Sequence, residues 1–297
     1  MSADNAAERP PVDRPPAPEP LPVPILDSHT HLDIIVGNRG DVDDASQDEK
    51  FVVDADMIRR EIAAAAEVGV PRLVQVGVDL PSSRWGAELA VNEPNILATV
   101  ALHPNEAPRL ADLDEALREI ESLAALPRVR GLGETGLDYF RTGEDGMEKQ
   151  ADSFRAHIAI AKRYGKALVI HDREAHADVL KVLTEEGAPD TVVLHCFSGD
   201  SDFARECVDL GFFLSFAGNV TFKSAGKLRD AALVVPREQL LVETDAPFLT
   251  PMPYRGRPNS SYLVPHTARF LAELRGDDLA DLCTAIADNG ERVFGKW

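Results

Sequence analysis

Two histidines separated by one residue end the first apolar run of the chain. The run begins at Ile25, and His29 and His31 close it. In an extended strand, residues i and i+2 point to the same side, so the two imidazoles could share one cation. Neutral imidazole is a common ligand for metal ions. An isolated pair is more typical of an ordinary strand end with two half-exposed histidines, so its meaning depends on the rest of the chain.

Later apolar runs end in the same residue types. Glu134 follows Gly-Leu-Gly, His171 follows Leu-Val-Ile, His195 follows Val-Val-Leu, and Asp245 follows Leu-Val-Glu-Thr. Four histidines and two carboxylates supply the number and type of ligands that two divalent ions need. Glu134 is suited to bridge the ions, and Asp245 is the candidate to orient or deprotonate an attacking water. We therefore predict a site for two divalent ions.

The secondary-structure elements that would position these residues alternate regularly along the chain. Short runs rich in Val, Ile and Leu alternate with longer segments of helical periodicity. The apolar runs cover residues 25–29, 72–78, 96–102, 129–134, 167–171, 191–195, 211–217 and 240–245. The helical segments cover residues 54–68, 82–91, 111–125, 146–164, 174–186, 201–209, 223–232 and a pair within 260–294.

Near-continuous apolar strands indicate a parallel sheet that is covered on both faces. Eight β-α units predict an α/β fold, a TIM-like (β/α)8 barrel, as a single domain over residues 25–297. The alternative is an open doubly wound sheet, although no G-x-G-x-x-G or P-loop string supports its nucleotide-binding form. In a barrel the carboxyl ends of all strands meet at one mouth, so the predicted metal donors should converge there.

Five segments together resemble the TatD family of metal-dependent deoxyribonucleases, within the amidohydrolase superfamily. They are HTHLD at 29–33, GETGLD at 133–138, HDREA at 171–175, HCFSG at 195–199 and ETDAP at 243–247. The resemblance covers about residues 25–297 and implies a TIM-like barrel with two metal ions. It implies that His29, His31 and Asp245 hold one ion, that Glu134 bridges, and that His171 and His195 hold the other. The donor mixture suits zinc, manganese or cobalt, the resemblance adds magnesium, and no organic cofactor is implied.

The substrate contacts are a separate prediction. His103 ends the third apolar run and matches the family's His-Pro element, so it could contact a phosphate or be an ordinary strand-end group. Arg173, Arg255 and Arg257 are the candidate cationic clamps. The family pattern at the last two resembles R-G-x-x-N followed by Glu-Pro, and this chain departs from it after Asn259.

The leading functional hypothesis is hydrolysis of DNA phosphodiester bonds by an exonuclease. Within the enzyme class, the alternative is a deacylase or esterase that cleaves an amide or ester, because the same ions activate water for either electrophile. A non-catalytic metal-binding protein is the alternative of a different class. The uninterrupted donor set argues against it.

Composition and charge limit these hypotheses. The net charge of −19 argues against simple nucleic-acid binding through a basic face, so metal ions and local cations would have to outweigh repulsion. No apolar run is long enough for a membrane helix, and the N-terminus lacks the pattern of a secretory signal. Three cysteines without a C-x-x-C pair suit a reducing cytoplasm.

Two further segments carry predictions. Residues 1–24 contain eight of the 21 prolines and predict a disordered tail. Residues 37–50, after the first strand, carry five carboxylates but lack the spacing of a calcium loop. We interpret this acidic loop as a solvated insertion, with the hypothesis that it hinders the approach of long DNA.

Overall fold

The computed structural model describes residues 14–37 and 54–297, and eight parallel strands form its centre. The strands are β1 (Leu26–Thr30), β2 (Arg72–Val76), β3 (Ile96–Val100), β4 (Val129–Asp138), β5 (Ala167–Arg173), β6 (Val192–Leu194), β7 (Phe213–Phe216) and β8 (Leu240–Val242). They pair in sequence order from β1 to β8. Each predicted apolar run overlaps one strand, so the predicted (β/α)8 barrel is confirmed and the open doubly wound sheet is not the fold.

Helices surround the strands. They are α1 (Leu32–Val36), α2 (Ala55–Glu67), α3 (Leu80–Asn92), α4 (Leu113–Ala124), α5 (Glu144–Tyr164), α6 (His176–Glu186), α7 (Ser201–Asp209), α8 (Gly226–Val234), α9 (Val264–Arg275) and α10 (Leu279–Phe294). Aspartate side chains accept hydrogen bonds from the first-turn N–H groups of α2, α3, α4, α7 and α10. The short α1 was not predicted. In the described part of the chain, no helix has the length and apolar character needed to cross a bilayer.

The seam of the barrel lies beside the predicted donors. An isolated parallel bridge joins Thr30 to Ala246, and the backbone N–H of His31 donates to the carbonyl of Ala246 over 2.9 Å. The N–H of Asp245 donates to the carbonyl of His29 over 3.0 Å. The end of β1 and the segment that follows β8 therefore meet at the residues that were predicted to bind metal.

Strand β4 is four residues longer than predicted. Beyond Glu134 it continues to pair with β5, from Thr135 opposite Ile170 to Asp138 opposite Arg173. The register shifts between Leu132 and Thr135, and such an irregularity re-aims the side chain within it. The extended strand thus places both Glu134 and Asp138 at the mouth of the barrel.

Residues 14–24 pack against the barrel, which corrects the prediction of a disordered tail through residue 24. The side chain of Leu21 is 7% exposed, and its N–H donates to the carbonyl of Val68. Tyr262 donates its hydroxyl to the carbonyl of Pro15 over 2.7 Å, and Arg14 pairs with the buried Glu61. The partners are distant in sequence, so local composition did not reveal them. Residues 1–13 lie outside the described residues, as does the acidic loop beyond Gly37.

Candidate metal centre

The six predicted donors face one another at the mouth of the barrel. His29, His31, Glu134 and His195 are buried, while His171 and Asp245 are half-buried. A pocket of about 500 Å³ opens onto five of them, namely His31, Glu134, His171, His195 and Asp245. The predicted convergence of strand ends is therefore present in the structure.

The two carboxylate oxygens of Glu134 face different histidines. Its Oε1 lies 2.6 Å from His171 Nδ1 and 2.8 Å from His195 Nε2. Its Oε2 lies 3.4 Å from His29 Nε2 and 3.9 Å from His31 Nε2. One carboxylate thus divides the histidines into two pairs, which is the arrangement expected of a ligand that serves two ions.

Asp245 belongs to the side of the pocket that holds the first histidine pair. Its Oδ1 lies 3.5 Å from His31 Nε2 and 3.8 Å from His29 Nε2. Its backbone φ is 51°, a left-handed conformation that non-glycine residues rarely adopt and that tends to occur at functional sites. Backbone hydrogen bonds to His29 and from Phe248 hold this conformation.

Two further carboxylates fix the orientation of histidine rings. His171 Nε2 lies 3.2 Å from Asp138 Oδ2, so His171 as a metal ligand would keep its proton on Nε2 and use Nδ1, beside Glu134. His195 Nδ1 lies 3.2 Å from Glu243 Oε1, so His195 as a ligand would likewise keep its proton on Nδ1 and use Nε2. A carboxylate behind a histidine is the usual device that selects the tautomer of a metal ligand.

The electrostatics keep the central carboxylate negative. Burial alone would raise the pKa of Glu134, but the charges and hydrogen bonds of His195, His103 and His171 outweigh it and hold that pKa well below its usual value. Burial, with the neighbouring His195, lowers the pKa of His29 and favours its neutral form. Burial alone would lower the pKa values of His31, His171 and His195 as well, but the neighbouring carboxylates outweigh it and raise them. The carboxylates therefore attract positive charge into the site, as a donor set for cations does.

Three groups of these side chains are compact enough to share an ion. In each group the ligand atoms lie within 4.8 Å of one another. The groups are His29–His31–Glu134, His29–His195–Asp245 and His103–Glu134–His171. The buried Nδ1 atoms of His29 and His31 have no hydrogen-bond partner among the described residues, and their Nε2 atoms face the carboxylates. The residues present therefore fit divalent cations.

Comparison with known proteins identifies the family. The family model described as TatD related DNase matches residues 26–295. The chain belongs to the TatD family. It is 46% identical over 275 residues to the uncharacterized metal-dependent hydrolase TatD of Mycobacterium tuberculosis (strain ATCC 25618 / H37Rv), covering 91% of this chain and 98% of that protein.

Two solved structures share the barrel of this TatD-family chain. The TatD homolog YJJV of Escherichia coli K12 superimposes with a TM-score of 0.79 at 26% identity, over 92% of this chain and 98% of that one. An uncharacterized amidohydrolase from Saccharomyces cerevisiae has a TM-score of 0.75 at 18% identity, over 92% and 100% of the two chains. The second likeness, at this low identity, shows a shared fold.

The predicted substrate residues divide into two sets. His103 and Arg173 line the pocket. The Nδ1 of His103 accepts the N–H of Asn105 over 3.0 Å, so its proton resides on Nε2, which faces the pocket 3.3 Å from Glu134 Oε1. The guanidinium of Arg173 stacks 3.9 Å from the ring centre of the exposed Phe140.

Arg255 and Arg257 are not among the residues that line the pocket. Both are exposed, and their guanidinium groups lie over the rings of Phe222 and Tyr254. Substrate contact by these two arginines stays a prediction. It falls at the position where the sequence departs from the family pattern.

Sequence reasoning missed Asp138 and Glu243 as residues that orient the ligands. Both belong to the quoted motifs, and Glu243 stands two residues before Asp245 at the end of an apolar run. That spacing could have indicated the role of Glu243, because residues i and i+2 of an extended strand point to the same side. Their roles depend on which histidine lies across the barrel, and strand register decides that.

Proposed function

We propose that this TatD-family protein is a metal-dependent hydrolase that cleaves DNA phosphodiester bonds as an exonuclease. The observation that carries the proposal is the division of the histidines by Glu134. It supports two adjacent divalent ions, and two-ion sites are widespread among enzymes that cleave phosphodiesters. The family description as DNase-related supports DNA as the substrate.

The proposal gives each donor a role. His29, His31 and Asp245 would hold one ion, His171 and His195 would hold the other, and Glu134 would be shared. Magnesium, manganese, zinc or cobalt suits these ligands. When bound, such ions lower the pKa of a water molecule and neutralise charge on the attacked phosphate.

The remaining steps are carried out by side chains of this chain. Asp245 accepts the proton of the water whose oxygen attacks phosphorus. As the P–O bond to the departing sugar breaks, the sugar oxygen keeps the bonding electrons and takes up a proton from solvent. His103 presents its Nε2–H to a phosphate oxygen, because its Nδ1 is occupied by the N–H of Asn105. Arg173, held against Phe140, supplies positive charge at the rim.

One assay tests the activity against its alternatives. Metal-free protein is mixed with labelled single-stranded DNA, double-stranded DNA, RNA or an acyl ester, and each divalent metal is added in turn. The proposal expects metal-restored release of mononucleotides from DNA ends. Cleavage of the ester alone would identify a deacylase or esterase, and turnover of none of these substrates would favour a binding protein.

We also propose a cytoplasmic location. Cys196, Cys207 and Cys283 are free thiols in the structure, and free cysteines suit a reducing compartment. Fractionation of cells expressing the full chain would test this.

A further inference from the structure

A second cleft opens beside the metal pocket, between the segments that follow β3 and β4. Its volume is about 530 Å³. Three cations line it, Arg109, Arg141 and Lys149, together with one carboxylate, Asp145. Arg109 also pairs with Glu106 over 2.9 Å, so among these described residues three cations stand beside two carboxylates. The protein as a whole has a net charge of −19.

The two cavities share a wall whose side chains are joined by hydrogen bonds. Asn105 and Arg141 line both cavities. Asn105 donates to Asp138 over 3.1 Å and accepts from the hydroxyl of Thr142 over 3.0 Å. Thr142 accepts in turn from Gln150 over 2.6 Å. Because Asp138 also orients His171, the position of the cleft is tied to that of the metal donors.

The shape of the cleft depends on a close approach at the start of α5. A Cβ atom on Gly146 would lie 2.4 Å from the methyl carbon of Thr142 and 3.2 Å from Pro108. The glycine therefore lets the helix meet the segment that carries Arg109. One turn further on, the Nζ of Lys149 lies 3.3 Å from the carbonyl oxygen of Leu110. This contact steadies the ammonium group without neutralising its charge.

We infer that this cleft is a phosphate-binding subsite for the backbone of a single-stranded nucleic acid whose scissile bond lies in the metal pocket. The inference rests on the proposed function and deepens it. Phosphate contacts by Arg and Lys set the position of a strand without reading its sequence. A chain that repels polyanions at long range needs such a local attraction to hold the strand beyond the bond it cleaves.

The test removes the two cations that do not also line the metal pocket. The double variant Arg109→Gln with Lys149→Gln is compared with Arg109→Lys with Lys149→Arg, which keeps the charge. A control, Lys181→Gln with Arg205→Gln, removes two exposed cations from α6 and α7. Arg141 is left unchanged because it contributes to both cavities.

Two readouts are taken for each protein. Metal-free protein is titrated against fluorescent oligothymidylate or oligouridylate of about eight nucleotides, a typical single-strand site size, at several salt concentrations. The metal-loaded protein is assayed on bis(p-nitrophenyl) phosphate, which is too small to reach the second cleft.

The charge-removing variant should bind the oligonucleotide ~5-fold more weakly or worse. The slope of log affinity against log salt should fall by about 0.7 for each lost contact. The charge-keeping variant and the control should bind as the unmodified protein does, and hydrolysis of the small diester should be unchanged. Preference for one oligonucleotide would show whether the strand is DNA or RNA.

Three results would overturn the subsite. The first is that the unmodified protein does not bind the oligonucleotide at low salt. The second is that loss of both cations leaves the affinity unaffected. The third is that the control variant loses as much affinity as the charge-removing variant. Oligonucleotide binding that depends on the two cations, in a protein that hydrolyses no phosphodiester, would instead refute the proposed function and leave the subsite standing.

Discussion

At the scale of single residues, Glu134 is the side chain on which the candidate metal centre depends most. Its two oxygens face different histidine pairs. We expect Glu134→Ala to lower the content of both metal ions and to abolish turnover, because both positions lose a ligand. His171→Ala should chiefly lower the content of one ion. Elemental analysis of metal per chain checks this, and full metal content with activity in Glu134→Ala would remove the bridging role.

Glu243 provides a second prediction at this scale. It is fully buried, and its Oε1 holds both His195 Nδ1 and the N–H of Cys196. Glu243→Ala should weaken metal affinity or activity ~10–100-fold, since loss of a residue that orients a ligand has that effect. Metal titration followed by assay measures it. Glu243→Gln keeps an oxygen acceptor and should retain more affinity, and equal loss in both variants would contradict an orienting role.

At the scale of elements, the contact between β4 and β5 depends on Gly136. Its φ is 140°, and a Cβ there would lie 2.1 Å from the carbonyl oxygen of His171. Gly136→Ala should destabilise the fold by about 3 kcal/mol or more, because both the conformation and the space are unfavourable. Gly211→Ala is the matched control, since Gly211 also has a positive φ, 82°, but open space around it. It should cost only ~1 kcal/mol. Denaturant unfolding measures both, and equal losses would contradict the steric argument.

A buried histidine connects α5 to the end of β3 and makes folding pH-dependent. His157 Nε2 accepts the N–H of Leu102 over 3.1 Å, and its Nδ1 lies 2.7 Å from the carbonyl of Ser153. Burial lowers the pKa of His157 to about 4, against about 6.5 when unfolded. The unfolded chain thus binds more protons between these values. Stability from the neutral ring is present above pH ~6.5 and is lost as pH falls toward ~4.

The expected loss from this group is about 3 kcal/mol across that interval. The variant His157→Gln should be less stable at neutral pH and should show a flatter decline with acid. Urea unfolding at a series of pH values gives the difference between the two curves. A parallel decline in both proteins would exclude His157 as the source.

Much of this arrangement followed from the sequence because apolar strands and the polar residues at their ends are local signals. The donors from His29 to Asp245 were predicted in this way, and the structure brings them together. The orienting contacts of Asp138 and Glu243 were not predicted, because they depend on which strands are neighbours. Residues 14–24 were misread because their partners, such as Tyr262, lie far along the chain. A proline-rich segment has no periodicity that would reveal such contacts.

At the scale of the whole molecule, residues 14–24 form a strap across α2 and the segment before α9. A disordered tail predicts that removal of residues 1–22 leaves stability unchanged. The contacts of residues 14–24 instead predict that this removal lowers the stability of the fold. Leu21→Ala should cost roughly 2 kcal/mol, because the side chain is buried. Arg14→Ala should cost about 1 kcal/mol, since the arginine is half exposed but its partner Glu61 is buried.

Thermal or denaturant unfolding of the full chain checks the strap. Arg59→Ala is the matched control, because Arg59 is an exposed cation paired with Asp56 on the same helix as Glu61. It should change stability by less than ~0.5 kcal/mol. Unchanged stability in both strap variants would show that these contacts contribute nothing to the fold.

The closure of the barrel at Thr30 and Ala246 joins segments that are synthesised at different times. Asp27 and Thr244, which hydrogen-bond across this closure, are 217 residues apart. At a synthesis rate of ~5–20 residues per second, roughly 10 to 40 s separate their appearance on a ribosome. A nascent or prematurely terminated chain therefore carries His29 and His31 without Asp245. Under the proposed chemistry, the chain cannot cleave DNA until its synthesis is nearly complete. The order of translation thus prevents premature nuclease activity.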